Sequence, residues 1–210
     1  MGARPAAGGG RWVDVAPARL PRWLANFANR HGPYRTDGLT VVAEDGATAE
    51  LELPVGVPGL EGLDRKAPRI GLLLARKGAV AVGIADGDEL VASKVDTHYV
   101  QGRTAAGGWS QHRFARRRDN QAKAAAADGA AIVGRVLLPE VRTLAALVCG
   151  GDRVAVDTIL ASPPLAPLAK LRTNRLLEVP EPRHAVLVAA IAQARAVRIL
   201  VRDPPGPANK

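Results

Sequence analysis

The sequence predicts an α/β protein: a mixed β-sheet with helices packed against it, preceded by a small helix-plus-hairpin unit. Three observations predict this class. Three apolar runs follow one another after residue 68, separated only by short glycine-containing turns, as in an antiparallel meander. Beyond them, strand-like apolar runs alternate with stretches of helical periodicity, which places helices on a sheet. The interior must be aliphatic, because 47% of the chain is hydrophobic and only 3% aromatic. With 210 residues the chain can bury one sizeable α/β core and carry an appendage.

The elements follow in order. Residues 1–10 are rich in Gly, Ala and Pro and are expected to be disordered. In "PARLPRWLANFANRHG", Leu20, Trp23, Leu24 and Phe27 stand at helical spacing, and Gly32 supplies the stop. "GLTVVAEDGATAELELPV" alternates about Asp45-Gly46 and reads as a β-hairpin, so residues 11–60 form the N-terminal unit. Pro54, Pro58 and Gly59 mark a connector over 54–68. An α/β domain over 68–202 opens with strands at 69–75, 79–86 and 89–100, with turns at Lys77-Gly78 and Asp86-Gly87-Asp88. A helix is expected from Ser110, its N-cap, to about Ala127. A buried strand over 143–151 leads into a helix over 152–162 that Pro163, Pro164 and Pro167 terminate. "RLLEVPE" reads as a short strand, 184–196 as a helix, 197–201 as a last strand, and 203–210 as a flexible tail.

Net charge is +9 and the pI about 10.5, which favours a polyanionic partner, nucleic acid first. Residues 103–123 concentrate that charge: Arg103, Arg113, Arg116, Arg117, Arg118 and Lys123 face Asp119 alone. No apolar run reaches the roughly 18–20 residues of a membrane span, and the N-terminus lacks a signal-peptide core. Ala6 stands where myristoylation after Met-Gly needs Ser or Thr, so a cytoplasmic protein without membrane attachment is expected. Cys149, the single cysteine, excludes an intramolecular disulfide and a cysteine zinc site, and reads as a buried, inert thiol. His31, His98, His112 and His184 are scattered, so neither a metal nor any other cofactor is expected. "CGGDR" lacks the Lys-Ser/Thr of a phosphate loop and reads as a tight β-to-α turn capped by Asp152. Asp86, Asp88 and Asp96 fall on separate turns or strand ends, whereas a metal-dependent nuclease needs them convergent.

The stretch "GRTAAGGWSQHRFARRRDNQAKAAAA", residues 102–127, stands apart. Gly107 and Gly108 sit at an exposed tip between strand and helix, where glycine reaches backbone angles barred to other residues. Arg113, Arg116 and Arg117 share a helix face that Asn120 extends, and such a row suits a phosphate backbone. A solvated surface helix beside a mobile turn accounts for the same residues.

"GGWSQHRFARRR" resembles the catalytic loop and following helix of the eukaryotic and archaeal class-one peptide release factors, whose Gly-Gly-Gln tip precedes Arg-Phe-Ala-Arg. Gly107 and Gly108 match the glycines, Ser110 a serine, and Arg113-Phe114-Ala115-Arg116 the helical signature; the resemblance covers about 68–202. Trp109 stands in place of the family's glutamine, and Gln111 follows two residues later. A displaced glutamine is similar to the Vms-type branch of ribosome quality control, whose bacterial members share features of "CGGDRVAVDTILAS…VPEPRHAV". The resemblance implies a release-factor middle-domain, ribonuclease H-like fold and a peptidyl-tRNA hydrolase acting on obstructed large ribosomal subunits. It implies that Gln111 orients water, that Gly107 and Gly108 shape the tip, and that Arg103, His112, Arg113, Arg116, Arg117, Arg118 and Lys123 hold tRNA or ribosomal RNA. Trp109 either stacks on a nucleobase or folds back onto the hairpin. The expected partners are the large subunit, peptidyl-tRNA and ribosomal RNA, bound by a monomer without a codon-reading domain. A non-catalytic ribosome- or RNA-binding factor with a degenerate tip is the alternative, and a metal-dependent nuclease a weaker third.

Overall fold

The computed structural model describes residues 3–76, 78–97 and 111–204, except the side chains of 97 and 111–123. In chain order it contains β1 (Arg4–Pro5), β2 (Arg11–Val15), α1 (Leu20–His31), β3 (Tyr34–Asp37), β4 (Thr40–Ala43) and β5 (Thr48–Glu52). Then come β6 (Ile70–Arg76), β7 (Ala79–Asp86), β8 (Glu89–Thr97), α2 (Gln111–Leu137), β9 (Ala146–Gly151) and α3 (Arg153–Leu160). The chain closes with α4 (Ala166–Ala169), β10 (Arg172–Leu177), α5 (His184–Arg195) and β11 (Val197–Arg202). Among the described residues no helix is long and apolar enough to cross a membrane. The chain divides into two units, Met1–Ala67 with Ala192–Lys210, and Pro68–Ile191.

The first unit is an antiparallel sheet of order β1-β2-β11-β5-β4-β3. Alternation along the strands gives it one apolar face: Val13, Val15, Val41, Ala43, Ala49, Leu51, Val197, Ile199 and Val201 form a cluster with Leu20, Trp23, Leu24 and Phe27 of α1. The hairpin over β4 and β5 is as expected, with Gly46 at φ 90° in its turn. That turn is tied to the last turn of α1: His31 Nδ1 lies 2.9 Å from Asp45 Oδ2, while Asp45 Oδ1 accepts from the Ala47 amide. The Ala47 hydrogen bond and then His31 hold the Asp45 carboxyl below its ordinary pKa. The opposite face is polar, with Arg198 3.7 Å over the Trp12 ring and paired to Glu52, Arg202 to Glu50, and Arg4 to Asp14.

Two expectations are corrected here. Residues 3–10 are not without order: Arg4–Pro5 pairs with β2, and Ala6 and Gly10 close the turn with a backbone hydrogen bond. The last strand does not end the α/β domain; β11 is the centre of the first sheet, hydrogen-bonded on both edges to β2 and β5. The reason is register: its inward residues Val197, Ile199 and Val201 meet the apolar face that β2 and β5 present. Of the expected flexible tail, residues 205–210 lie outside the described residues.

The second unit is a mixed sheet of order β10-β9-β6-β7-β8. β6, β7 and β8 form the expected antiparallel meander, while β9 and β10 lie parallel to β6. β6, β7 and β9 are buried on both faces, as their continuous apolar runs require. One face packs α2 and α3: Leu73, Val82, Ile84, Leu147 and Cys149 meet Ile132, Val133, Leu137, Val156 and Ile159. On the other face α5 brings Leu187 against Gly83. The α2 helix continues ten residues past the expected end, through Asp128-Gly129. A Cβ at Gly129 would lie 3.0 Å from Ile159 Cδ1 and 3.3 Å from Val80 Cγ2, so tertiary contact there outweighs the roughly 1 kcal/mol helix penalty of glycine.

Candidate functional site

Register fixes which strand ends meet. Thr97, the end of β8, pairs with Ala79, which pairs with Arg76 at the end of β6. Ala75 pairs with Gly151, and Leu177 of β10 with Gly150, so β6, β8, β9 and β10 all finish at one edge of the second sheet. The α2 helix runs back from that edge. Its Leu137 side chain lies by Gly71 near the start of β6, and Gly129 already reaches Val80 beside the far edge. Only the last turns of α2 are therefore needed to cross the sheet. Its 27 residues measure about 40 Å against about 23 Å for β6, and residues 111–128 account for roughly 27 Å of axis. Most of this leading half extends beyond the strand ends as continuous helix.

The predicted site residues distribute along this projection. Gln111 is the first residue of α2, followed by His112, Arg113, Arg116, Arg117, Arg118 and Lys123, all within the leading half. Helical geometry puts Arg113, Arg116 and Arg117 on one face, and no acid occupies the first turn. The positive end of the helix dipole adds to the same field. Arg103, Gly107, Gly108, Trp109 and Ser110 lie outside the described residues, as does His98.

At the same strand edge lies a cleft of about 430 Å³ that the sequence reading did not anticipate, lined by Arg76, Gly151, Asp152, Glu178, Val179 and Pro180. It sits at the carboxyl ends of parallel strands, the usual crevice of open α/β sheets. The fold uses its polar groups: Arg76 Nη1 donates to the Val179 carbonyl at 2.9 Å, and the Asp152 amide to the Ala75 carbonyl at 2.8 Å. Asp152 Oδ1 accepts from the Ala155 amide and caps α3, as read from "CGGDR".

Other chemistry is set aside by position. Among the described residues no group of three or more His, Cys, Asp or Glu could hold a metal. Asp86 pairs with Glu89 at one end of β7 and Asp96 with Val80 towards the other, about 20 Å apart along the strand. These carboxylates do not converge as a nuclease site would. Cys149 is fully buried, and burial pushes its thiol up to about 12. A thiolate nucleophile is thereby disfavoured. Iodoacetamide at pH 8 is expected to leave the native chain unmodified and to alkylate it once in guanidinium, read by mass spectrometry.

The second unit is thus a mixed α/β sheet from which a long helix, with a leading half rich in arginine, starts at the strand ends. Residues 68–200 match the Actinobacteria/chloroflexi VLRF1 release factor family. The match spans more than half of the chain, and the chain belongs to that family. No curated protein matches it. Among solved structures it is similar to the archaeal translation termination factor aRF1, at 17% identity and TM-score 0.44, over 60% of this chain and 34% of that one. It is also similar to a chain described as an archaeal protein, at 14% identity and TM-score 0.43, over 73% of this chain and 51% of that one. The chain thus spans about a third of the first and half of the second.

Proposed function

We propose that this release-factor relative hydrolyses peptidyl-tRNA on stalled ribosomes or large subunits, as a rescue enzyme of the cytoplasm. The observation that carries the reading is the projecting half of α2, which bears six of the basic or polar RNA-facing candidates and starts at Gln111. The peptide is esterified to the terminal ribose of tRNA, and an ester is already activated towards water. What is required is an ordered water and stabilisation of the developing oxyanion. Gln111 accepts a hydrogen bond from that water through its side-chain carbonyl and offers N–H donors; its amide is too weakly basic to take the proton. Water oxygen bonds to the carbonyl carbon, the bond to the ribose oxygen breaks, and the proton ends on the ribose hydroxyl. Gly107 and Gly108 let backbone amides approach where a Cβ would clash, and Trp109 stacks beside them. Arg103, His112, Arg113, Arg116, Arg117, Arg118 and Lys123 hold the RNA, largely through phosphates. Holding ester and water together removes several kcal/mol of barrier by proximity alone.

The test is release of labelled peptide from purified large subunits carrying peptidyl-tRNA. The full chain is expected to release it at least about 100-fold faster than buffer. Binding without release would establish the alternative instead, a ribosome-binding factor whose tip, with Trp109 in the glutamine position, has lost the reaction.

A further inference from the structure

We infer that the first unit carries a second RNA-binding surface, along the exposed side of α1. From Pro17 to His31 the chain has Arg19, Arg22 and Arg30 and not one acidic residue. All three arginines are exposed, as are Asn26 and Asn29. Arg22, Asn26, Asn29 and Arg30 follow one another at helical spacings, with Arg19 one turn earlier, so a single stripe runs along the helix. From Arg22 to Arg30 the stripe covers about 12 Å of axis, enough to meet several phosphates of one strand.

Charge balance separates this stripe from the arginines of β1, β2 and β11. Arg4, Arg11, Arg198 and Arg202 are each paired with Asp14, Asp203, Glu52 and Glu50. The nearby Asp45 is held by His31 and the Ala47 amide. Among the described residues no carboxylate pairs with Arg19, Arg22 or Arg30. Guanidinium groups left unpaired in a row are disposed for phosphate, to which each presents a planar fork of donors. Beside the stripe is a recess of about 200 Å³, lined by Trp23, Asn26, Phe27, Arg30 and His31 opposite Arg11. That is below the roughly 300–1,000 Å³ of small-molecule sites, and its half-buried Trp23, stacked on Phe27 at 5.6 Å, suits a base or ribose placed against the arginines. Ribosomal or transfer RNA is the RNA concerned if the release reading holds; the surface itself does not depend on it.

The experiment measures binding of the full chain to a fluorescein-labelled single-stranded RNA of about 20 nucleotides and to a duplex of that length, across a KCl series. Arg22→Glu/Arg30→Glu is expected to weaken binding at least tenfold, and Arg22→Gln/Arg30→Gln to lower the slope of log K against log salt by about 1.5. Loss confined to the single strand identifies a base-stacking contact at Trp23, and loss on both a pure backbone contact. Far-ultraviolet circular dichroism checks that each pair folds. Unchanged affinity and slope on both RNAs, the result if this side of α1 docks a protein, overturns the inference. If peptide release is absent while these pairs still weaken RNA binding, the catalytic reading falls and this surface stands.

Discussion

Replacing Gln111 with alanine is expected to slow peptide release on large subunits by roughly 10²–10³-fold, the range found when one preorganised oxyanion donor is removed. Binding of the subunit should change little, because the phosphate contacts assigned to the arginines of α2 remain. Gln111→Glu should be nearly as slow: a carboxylate still accepts from water, but it has no N–H to offer and its charge opposes the oxyanion. Gln111 opens a 27-residue helix, so the first-turn amides and the helix dipole act on the same point in either variant. Trp109→Gln in the Gln111→Ala background restores glutamine immediately after Gly107-Gly108. Recovery in that double variant would mean the tip tolerates the amide at either position. A Gln111→Ala rate equal to wild type removes the residue from the mechanism altogether.

How much of this was legible in the sequence depends on how local the determinants are. The meander over β6, β7 and β8 was readable because apolar runs and glycine turns lie within 30 residues of one another. The β9-to-α3 turn was readable because "GGD" specifies both the turn and the cap. The first sheet was hidden for the opposite reason. β2 and β11 pair Trp12 with Leu200 and Val13 with Ile199, and no local pattern announces a partner so far along the chain. The length of α2 is not legible because Asp128-Gly129 resembles a stop, whereas in the fold Gly129 packs closely against Ile159 and Val80. For the site, the basic cluster and the "GGWSQHRFARRR" pattern were visible, but not that anchoring only the last turns of α2 would leave the basic half extended. The stripe on α1 is not legible in the sequence because its arginines are spaced along a helix rather than bunched in the chain.

Gly151→Ala is expected to cost the second unit about 3–4 kcal/mol, the largest stability loss assigned to a single added methyl here. Gly151 has φ +96°, where a Cβ costs about 1–2 kcal/mol by itself. A Cβ built there would overlap the carbonyl oxygen of Ala75, which is backbone inside a strand and cannot rotate away as a side chain could. Relief must come from moving residues 151 and 152. That movement breaks the hydrogen bond from the Asp152 amide to the Ala75 carbonyl, about 1 kcal/mol. It also displaces Asp152 from the Ala155 amide, a cap again on the order of 1 kcal/mol. With a sensitivity of roughly 3–6 °C per kcal/mol for a domain of this size, the Tm of the second unit should fall by about 9–24 °C. Asp152→Ala, which removes the cap but leaves the turn intact, should lose only about 1 kcal/mol, so the two variants separate backbone strain from capping. Equal Tm values for the two would show that the turn relaxes freely, and that the edge from which α2 projects is softer than its hydrogen bonds indicate.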